Sequence, residues 1–423
     1  MMPMSDRICV VGLGYLGLPL ASLFAKCGFE VMGIDIDDKK ILSLQKKEVY
    51  LSEPGVKEIV KEALNEGKLK AAKDMSKADV FIIAVPTLVS KEGKDVELKY
   101  VKAAAIDVAK VLSRDNLVII ASTVHPKSTK NVIIPLLEES GMKVGKDFLV
   151  ACSPERARPG NMMHELVNND RVIGGIDLAS AQKAKELYAN FVKGQIYTTD
   201  ITTAESIKLM ENTFRDVNVA LANEFAKLSE EIGIDAWEAI ELANKNPLVK
   251  IAEPGPGTGG SSLPVDPAFL REGTKHNELI TTARKINLSM PEYIVDMVSG
   301  LIKRIKNPTV TVLGLAYKAN VDDLRGSPGI QIISLAKEKG WKIKANDPRA
   351  KHPEMESYEL KDALKGSDCL VLVVDHDEYM DIDESILEGM RTRNAVDCRN
   401  ALNHALMHNM GFKIRILGNK KND

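Results

Sequence analysis

The run Gly12-Leu13-Gly14-Tyr15-Leu16-Gly17 has the spacing G-x-G-x-x-G. It follows the apolar run 7–11 and opens a helical stretch, about 17–27, whose Leu18, Leu20, Ala21, Phe24 and Ala25 share a broad apolar face. In that setting Gly12 permits a tight turn, Gly14 lets the backbone approach a pyrophosphate, and Gly17 lets the helix pack close to a sheet. The helix start then offers unpaired N–H groups to phosphate oxygens. Asp35 lies 18 residues beyond Gly17, at the end of the next strand. A carboxylate there accepts hydrogen bonds from a ribose 2′-hydroxyl and repels a 2′-phosphate, so the pattern predicts NAD rather than NADP. The rival reading is a Gly-rich turn without a ligand; strand, helix and acidic residue together favour the dinucleotide. Lys208 and Asn212, four residues apart in a helical stretch, share one face. Taken alone, they read as a solvated charge and an incidental polar residue. Glu155 beside Arg156 reads alone as a surface pair worth little, and Asp266 near Pro264 and Pro267 as a turn former.

The elements that must position these residues alternate strand and helix. Apolar runs at 7–11, 30–36, 80–85 and 117–121 leave room for helices between them, which predicts a parallel sheet with helical crossovers. From about 203 to 232 there is no Gly or Pro, and Ile207, Leu209, Met210, Phe214, Val217, Ala220, Leu221, Phe225 and Leu228 recur at helical intervals. The reading is one helix of roughly 30 residues, ~45 Å long, which suits a domain bridge or a dimer core better than a single domain. Gly233 is its stop. After a Gly/Pro-rich loop over 253–267, alternation returns, with strands at 309–315, 341–345 and 369–374 and a helix over 330–339. The fold class expected is α/β: two doubly wound Rossmann-like domains joined by a helical central region. In the second, Gly314 follows the first strand without a full fingerprint, which leaves open whether that domain binds another nucleotide or only packs.

Six further stretches occur in one order: Ala84-Val85-Pro86-Thr87; Ser122-Thr123-Val124; Ser153-Pro154-Glu155-Arg156 with Pro159-Gly160; Glu205 to Asn212; Gly255 to Pro267; and Gly314-Leu315-Ala316-Tyr317-Lys318 with Asp322-Asp323-Leu324-Arg325. From Gly12 to about Arg399 the chain resembles the UDP-glucose/GDP-mannose dehydrogenase family. The resemblance implies a four-electron oxidation of a nucleotide sugar at its C6 hydroxyl, through an aldehyde to a carboxylate, using two NAD. A cysteine attacks the aldehyde, and water cleaves the thioester that follows oxidation. It implies cofactor contacts at Gly12, Gly14, Tyr15, Leu16, Gly17, Asp35, Pro86, Thr87, Thr123 and Glu155. It also implies roles for Lys208 and Asn212 at C6, for Asp266 in proton transfer near the nucleophile, and for Glu155 and Thr123 in placing water or moving protons. Gly257, Gly259 and Gly260 fall in the substrate loop, and Lys318 and Arg325 match positions that hold the uridine diphosphate, where cations suit a pyrophosphate. Arg156 and Arg158 either reach the sugar or phosphates or are surface charges.

The chain breaks the family pattern at the nucleophile. The family loop reads G-G-[HS]-C-[IL]-P-x-D; here it is Gly259-Gly260-Ser261-Ser262-Leu263-Pro264-Val265-Asp266. Ser262 stands where the cysteine is expected, by engineering or by divergence. A serine hydroxyl needs a dedicated base where a thiol is already partly ionised, so binding without full turnover is the expectation. Of the five cysteines, Cys9, Cys27 and Cys369 read as core, Cys152 as a small residue packed at a strand end, and Cys398 as remote. The stretch 153–175 is most similar to the branch acting on UDP-N-acetylmannosamine, with the N-acetylglucosamine branch close and UDP-glucose enzymes further off. Leu248, in Asn246-Pro247-Leu248-Val249, stands where acetamido-sugar relatives often carry arginine. A non-catalytic nucleotide-sugar-binding protein is the rival of another class. A β-hydroxyacid dehydrogenase would share the first domain but would leave the second unexplained.

Composition narrows the rest. At about 150 residues per domain, 423 residues suggest three units. They are an NAD-binding domain over 1–200, a central helical, dimerising domain with the active-site loop over 201–300, and a UDP-sugar-binding domain over 301–423. Lys+Arg 57 against Asp+Glu 59 argues against a bulk nucleic-acid binder. No run reaches ~18 apolar residues, so no membrane span is expected. An odd number of scattered cysteines, without a C-x-x-C pair or a leader pattern, predicts a reducing cytoplasmic setting and no metal site. A homodimer, with a product destined for surface polysaccharide, is the remaining implication of the resemblance.

Overall fold

The computed structural model describes residues 7–89, 96–158, 160–272 and 274–420. The chain divides into two compact units, Met1–Met210 with Ala268–Gly273, and Glu211–Pro267 with Thr274–Asp423.

The first unit is built on eight strands: β1 (Arg7–Val11), β2 (Glu30–Ile34), β3 (Leu69–Ala72), β4 (Val80–Ile83), β5 (Leu117–Ile120), β6 (Leu149–Cys152), β7 (Arg171–Gly175) and β8 (Ile196–Asp200). Their spatial order is β8-β7-β6-β5-β4-β1-β2-β3, parallel except where β6 meets β7. Alternate residues feed two separate cores. Ile8, Val10, Ile82 and Ile119 enter one; Cys9, Val11, Phe81, Ile83, Val118 and Ile120 enter the other. Burial on both faces is why these strands are continuous apolar runs instead of alternating ones. Because β1 pairs with β2 on one side and with β4 on the other, the strand order reverses at β1, and a crevice opens at the carboxyl ends of β1 and β4. Three helices matter here: α1 (Gly17–Lys26), α2 (Val56–Asn65) and α3 (Met162–Asn168).

The long helix α4 runs from Ile201 to Ile232. It starts two residues before the periodic pattern suggests, because Asp200 Oδ1 accepts the N–H groups of Thr202 and Thr203 and so caps it. It stops where Gly233, at φ +79°, and Ile234 turn their N–H groups back to the Ser229 carbonyl. Helices α5 (Asp266–Arg271) and α6 (Glu278–Ile302) follow.

The second unit carries five parallel strands, β9 (Thr309–Leu313), β10 (Lys342–Asn346), β11 (Cys369–Leu372), β12 (Asn394–Asp397) and β13 (Lys413–Ile416), in the order β10-β9-β11-β12-β13. β11 ends two residues before its apolar run does, since Val373 and Val374 both direct their N–H groups to the Leu313 carbonyl. Helix α7 (Pro328–Glu338) begins two residues before the expected 330, because Ser327 caps it and Pro328 supplies its first turn. At the reversal of this sheet the first unit's turn recurs. Gly314 has φ +100°, and a Cβ on Gly329 would lie 2.4 Å from the Gly314 carbonyl oxygen. The equivalent carboxylate, Asp347, is fully buried, accepts the N–H groups of Leu315 and Ala316, and meets His376 at 3.1 Å. No helix among the described residues is long and apolar enough to cross a membrane.

Candidate active site

In the first unit the glycine turn has the geometry its spacing suggests. Gly12 has φ +97°, and a Cβ there would lie 2.6 Å from the Ala84 carbonyl oxygen. A Cβ on Gly17 would fall 1.8 Å from the Gly12 carbonyl oxygen, so both positions are closed to any side chain. Gly14, between them, has nothing within 4 Å of its Cβ position. That open face, in front of the start of α1, is a space a pyrophosphate fits. No side chain caps α1, and Leu16 occupies its N-cap. Asp35 sits just beyond β2 and accepts the Leu13 N–H at 2.8 Å, the Asp37 N–H at 3.0 Å and the Lys40 ammonium at 3.1 Å. Pro86 and Thr87 follow β4, with Pro86 exposed and Thr87 half-buried.

Thr123, beyond β5, accepts a hydrogen bond from the Lys208 ammonium at 2.8 Å. One turn before Lys208 on α4, Glu205 accepts the N–H groups of Lys127 and Thr129 at 2.6 and 2.7 Å. Burial pushes the Glu205 carboxyl up despite those amides. Glu155 turns away from its neighbour's guanidinium. Its carboxylate meets the Arg171 guanidinium at 2.8 Å, and the other oxygen accepts the N–H groups of Arg156 and Ala157. The surface-pair reading of Glu155 with Arg156 therefore fails: the partner is Arg171, on β7, and the pair is buried. Burial alone would raise the Glu155 carboxyl, but Arg171 and the two amides override it and hold it below the usual carboxylate range. Arg171 is fixed in turn by Ser153 Oγ at 3.2 Å and by the Tyr188 ring, 4.4 Å from its centroid. Arg158 forms an ion pair with buried Glu165, and Arg156 donates to the Asp170 carbonyl.

In the second unit Asn212 donates its side-chain amide to Asp266 at 2.6 Å, and Asp266 is buried. The N–H groups of Val265 and Asp266 both point to the Ser262 carbonyl, so residue 262 closes the turn that leads into α5. The loop before it lies against Tyr317 and the 324–326 turn. A Cβ on Gly259 would be 2.7 Å from Tyr317 Cβ, one on Gly260 2.9 Å from the Tyr317 ring, and the Gly260 N–H donates to the Arg325 carbonyl at 2.7 Å. Gly257 has φ +119° against the Asn287 carbonyl. The loop's other anchor is a buried network. Arg284 on α6 meets Asp216 at 2.6 Å and Thr258 Oγ1 at 2.7 Å, while Asn223 accepts the Gly255 N–H at 2.8 Å. Arg325 pairs with Asp323, and half-buried Lys318 stands 5.8 Å from the centre of the Tyr317 ring. Leu248 is 92% exposed.

None of the five cysteines is exposed. Cys9, Cys152, Cys369 and Cys398 are buried. Burial pushes the Cys9 thiol up to about 12 and those of Cys152 and Cys398 well above their ordinary value. Cys27, expected in the core, is half-buried just past the end of α1, and its thiol is also raised.

Sequence profiles of this glycine-turn, central and nucleotide-binding architecture match the chain three times over. They are the NAD binding domain of the UDP-glucose/GDP-mannose dehydrogenase family over residues 6–192, its central domain over 202–289 and its UDP binding domain over 311–404. The chain belongs to the UDP-glucose/GDP-mannose dehydrogenase family. Among curated members it is 44% identical to the UDP-N-acetyl-D-mannosamine dehydrogenase of Methanocaldococcus jannaschii, across 98% of this chain and 97% of that one. It is 39% identical to the NDP-N-acetyl-D-galactosaminuronic acid dehydrogenase of Ralstonia solanacearum, across 93% and 95%. Among solved structures of the family, the UDP-D-ManNAc dehydrogenase of Pyrococcus horikoshii superposes with a TM-score of 0.93 at 40% identity, covering 98% of this chain and all of that one. Residues that reading the sequence missed are those that hold others in place: Arg171, Asp216, Arg284 and Tyr317. The visible signal was the charged type of Arg171 at the start of an otherwise apolar strand; Asp216 and Arg284 lie among other polar residues of their helices and gave none.

Proposed function

We propose that this chain is an NAD-dependent dehydrogenase that oxidises the C6 hydroxyl of UDP-N-acetyl-D-mannosamine to the uronic acid. Ser262 slows the reaction or halts it after the first oxidation. The observation that carries the reading is the turn at Gly12, Gly14 and Gly17: two glycines locked against backbone, with the one between them facing open space. Gly12, Gly14, Tyr15, Leu16, Gly17, Asp35, Pro86 and Thr87 would hold NAD, which when bound supplies the hydride acceptor. The relatives named for UDP-N-acetyl-D-mannosamine, at 41–44% identity over nearly the whole chain, support the choice of sugar.

The chain's own groups fit the rest. Lys208, steadied by Thr123, offers a cation to oxygen as its proton leaves, and Asn212 offers an amide donor. Asp266, oriented by Asn212, moves the proton at residue 262. Glu155, held ionised by Arg171, places water through a fixed carboxylate. Lys318 and Arg325, with the backbone at Gly257, Gly259 and Gly260, take the uridine diphosphate, and Arg156 and Arg158 face the sugar end. Residues 1–200, 201–300 and 301–423 serve as cofactor, dimerising and UDP-sugar parts. A homodimer forms through the exposed apolar face of α4, on which Phe214, Leu221 and Leu228 repeat every seven residues and Ile232 follows. Five free thiols fit a cytoplasmic setting.

The test is NADH formation and product mass with UDP-N-acetylmannosamine, UDP-N-acetylglucosamine and UDP-glucose, for this chain and for Ser262→Cys. The expected result is two NADH per UDP-N-acetylmannosamine with the cysteine form and no more than one with the serine chain. Another preferred sugar overturns the substrate, and full turnover by the serine chain overturns the role of Ser262. Silence of the cysteine form with ligands bound would favour a nucleotide-sugar-binding protein, a reading that the serine alone supports.

A further inference from the structure

Glu53 lies in the loop before α2, outside every motif considered above, and is 4% exposed. Its carboxylate has three donors. Tyr15 Oη donates to Oε2 at 2.8 Å, the Gly160 N–H lies 2.8 and 3.0 Å from the two oxygens, and the Met162 N–H donates to Oε1 at 3.0 Å. Tyr15 belongs to the glycine turn. Gly160 and Met162 end the 153–162 segment that carries Glu155, Arg156 and Arg158 and opens α3. Three residues before Glu53, Tyr50 donates to the Leu13 carbonyl at 2.6 Å. The 50–53 segment thus grips the turn on both sides of Gly14 and grips the 153–162 segment with the same carboxylate.

We infer that Glu53 is a positioning residue that couples occupation of the dinucleotide turn to the order of the 153–162 segment. This rests on the proposed cofactor reading. Tyr15 is 37% exposed, and its backbone stands at the helix start that a pyrophosphate would engage. A ligand that fixes this backbone holds the Tyr15 hydroxyl on Glu53, which then presents a fixed carboxylate to two amides that would otherwise sample other arrangements. The coupling is one of ordering, needs no large displacement, and is reciprocal: a ligand that orders 153–162 tightens the turn for NAD by the same factor.

Hydrogen–deuterium exchange tests this without any turnover. Peptides covering 12–17 and 156–168 are followed with and without saturating NADH in the unmodified chain, in Tyr15→Phe and in Glu53→Gln. In the unmodified chain NADH should slow exchange in both segments, by about five-fold or more in 156–168. In Tyr15→Phe, which removes the hydroxyl that donates to Glu53 and keeps the backbone that would face the pyrophosphate, 156–168 should lose its response at an NADH concentration that still protects 12–17. Glu53→Gln, whose amide oxygen keeps the loop N–H groups and whose amide nitrogen can donate to the Tyr15 hydroxyl, should restore the response. Equal NADH protection of 156–168 in Tyr15→Phe and the unmodified chain overturns the coupling, as does protection confined to 12–17 in the unmodified chain. Absence of protection at 12–17 as well overturns the cofactor reading and the coupling with it.

Discussion

Asn212 places its side-chain amide 2.6 Å from a carboxylate oxygen of Asp266, and the Asp266 N–H in turn closes on the Ser262 carbonyl. One residue of α4 therefore orients the carboxylate that stands four positions past Ser262, at the first residue of α5. Asp266→Asn keeps size and backbone bonds and removes the proton acceptor. In a Ser262→Cys background it should lower kcat by about 100-fold, with KM within a few-fold and the melting temperature nearly unchanged. An unchanged kcat, read as NADH formation, would remove Asp266 from the chemistry.

The glycine turn separates packing from binding. Gly17→Ala sets a methyl 1.8 Å from a backbone oxygen, so it should lower the melting temperature by several degrees, the shift that about 1–3 kcal/mol of overpacking produces. Gly14→Ala meets no protein atom within 4 Å, so its melting temperature should hold while NADH affinity, followed by fluorescence, falls by about ten-fold. Equal stability loss in both variants would contradict this division.

The buried pair of Glu155 and Arg171 should govern acid stability. Because the folded Glu155 carboxyl sits below its ordinary value, its contribution is present above that ordinary value, about 4.3, and is lost as pH falls through the lower folded one. Arg171→Met strands the carboxylate and should cost about 3–5 kcal/mol at pH 7. Burial then raises the carboxyl, so the variant's deficit should shrink as pH is lowered from 7 to 5, whereas an unrelated core lesion would keep its deficit. Denaturant melts at the two pH values decide it, and Glu155→Gln in the Arg171→Met background should recover part of the loss.

Leu221→Lys with Leu228→Lys places charge on the exposed apolar face of α4, away from its buried side. Light scattering should show the mass of one chain for the double variant and of two for the parent. A parent of single-chain mass would sink the dimer proposal, and an unchanged double mass would move the interface off this face.

Reading the sequence reached the parts that local rules dictate. The strands at β1, β4 and β5 are apolar on both faces and so stand out as runs. The turn at Gly12 needs glycine at fixed offsets, and α4 is long enough for its period to show. What it missed depends on partners distant in the chain. Glu155 has a cation beside it in sequence, but its carboxylate goes to Arg171, 16 residues on, because the antiparallel β6–β7 pairing sets those residues inward together. Glu53 meets Gly160 across more than a hundred residues, and nothing around it hints that a buried carboxylate is needed there. Gly259 and Gly260 were legible as a motif, whereas the reason for them, the face of Tyr317, lies in another part of the fold. The ends of α4, α7 and β11 differ from the periodic pattern because caps and carbonyl bonds, not hydrophobicity, set them.

Burial of four cysteines, with Cys27 half-buried, gives the chain a quiet background for sulfur chemistry. With the thiols of Cys9, Cys27, Cys152, Cys369 and Cys398 all raised, each offers an alkylating reagent less thiolate at neutral pH than a free cysteine does. A sulfur installed at 262 would be the single fast-reacting one. The number of labels taken up per chain would then count competent centres directly, turning a substitution made for catalysis into a stoichiometric titrant.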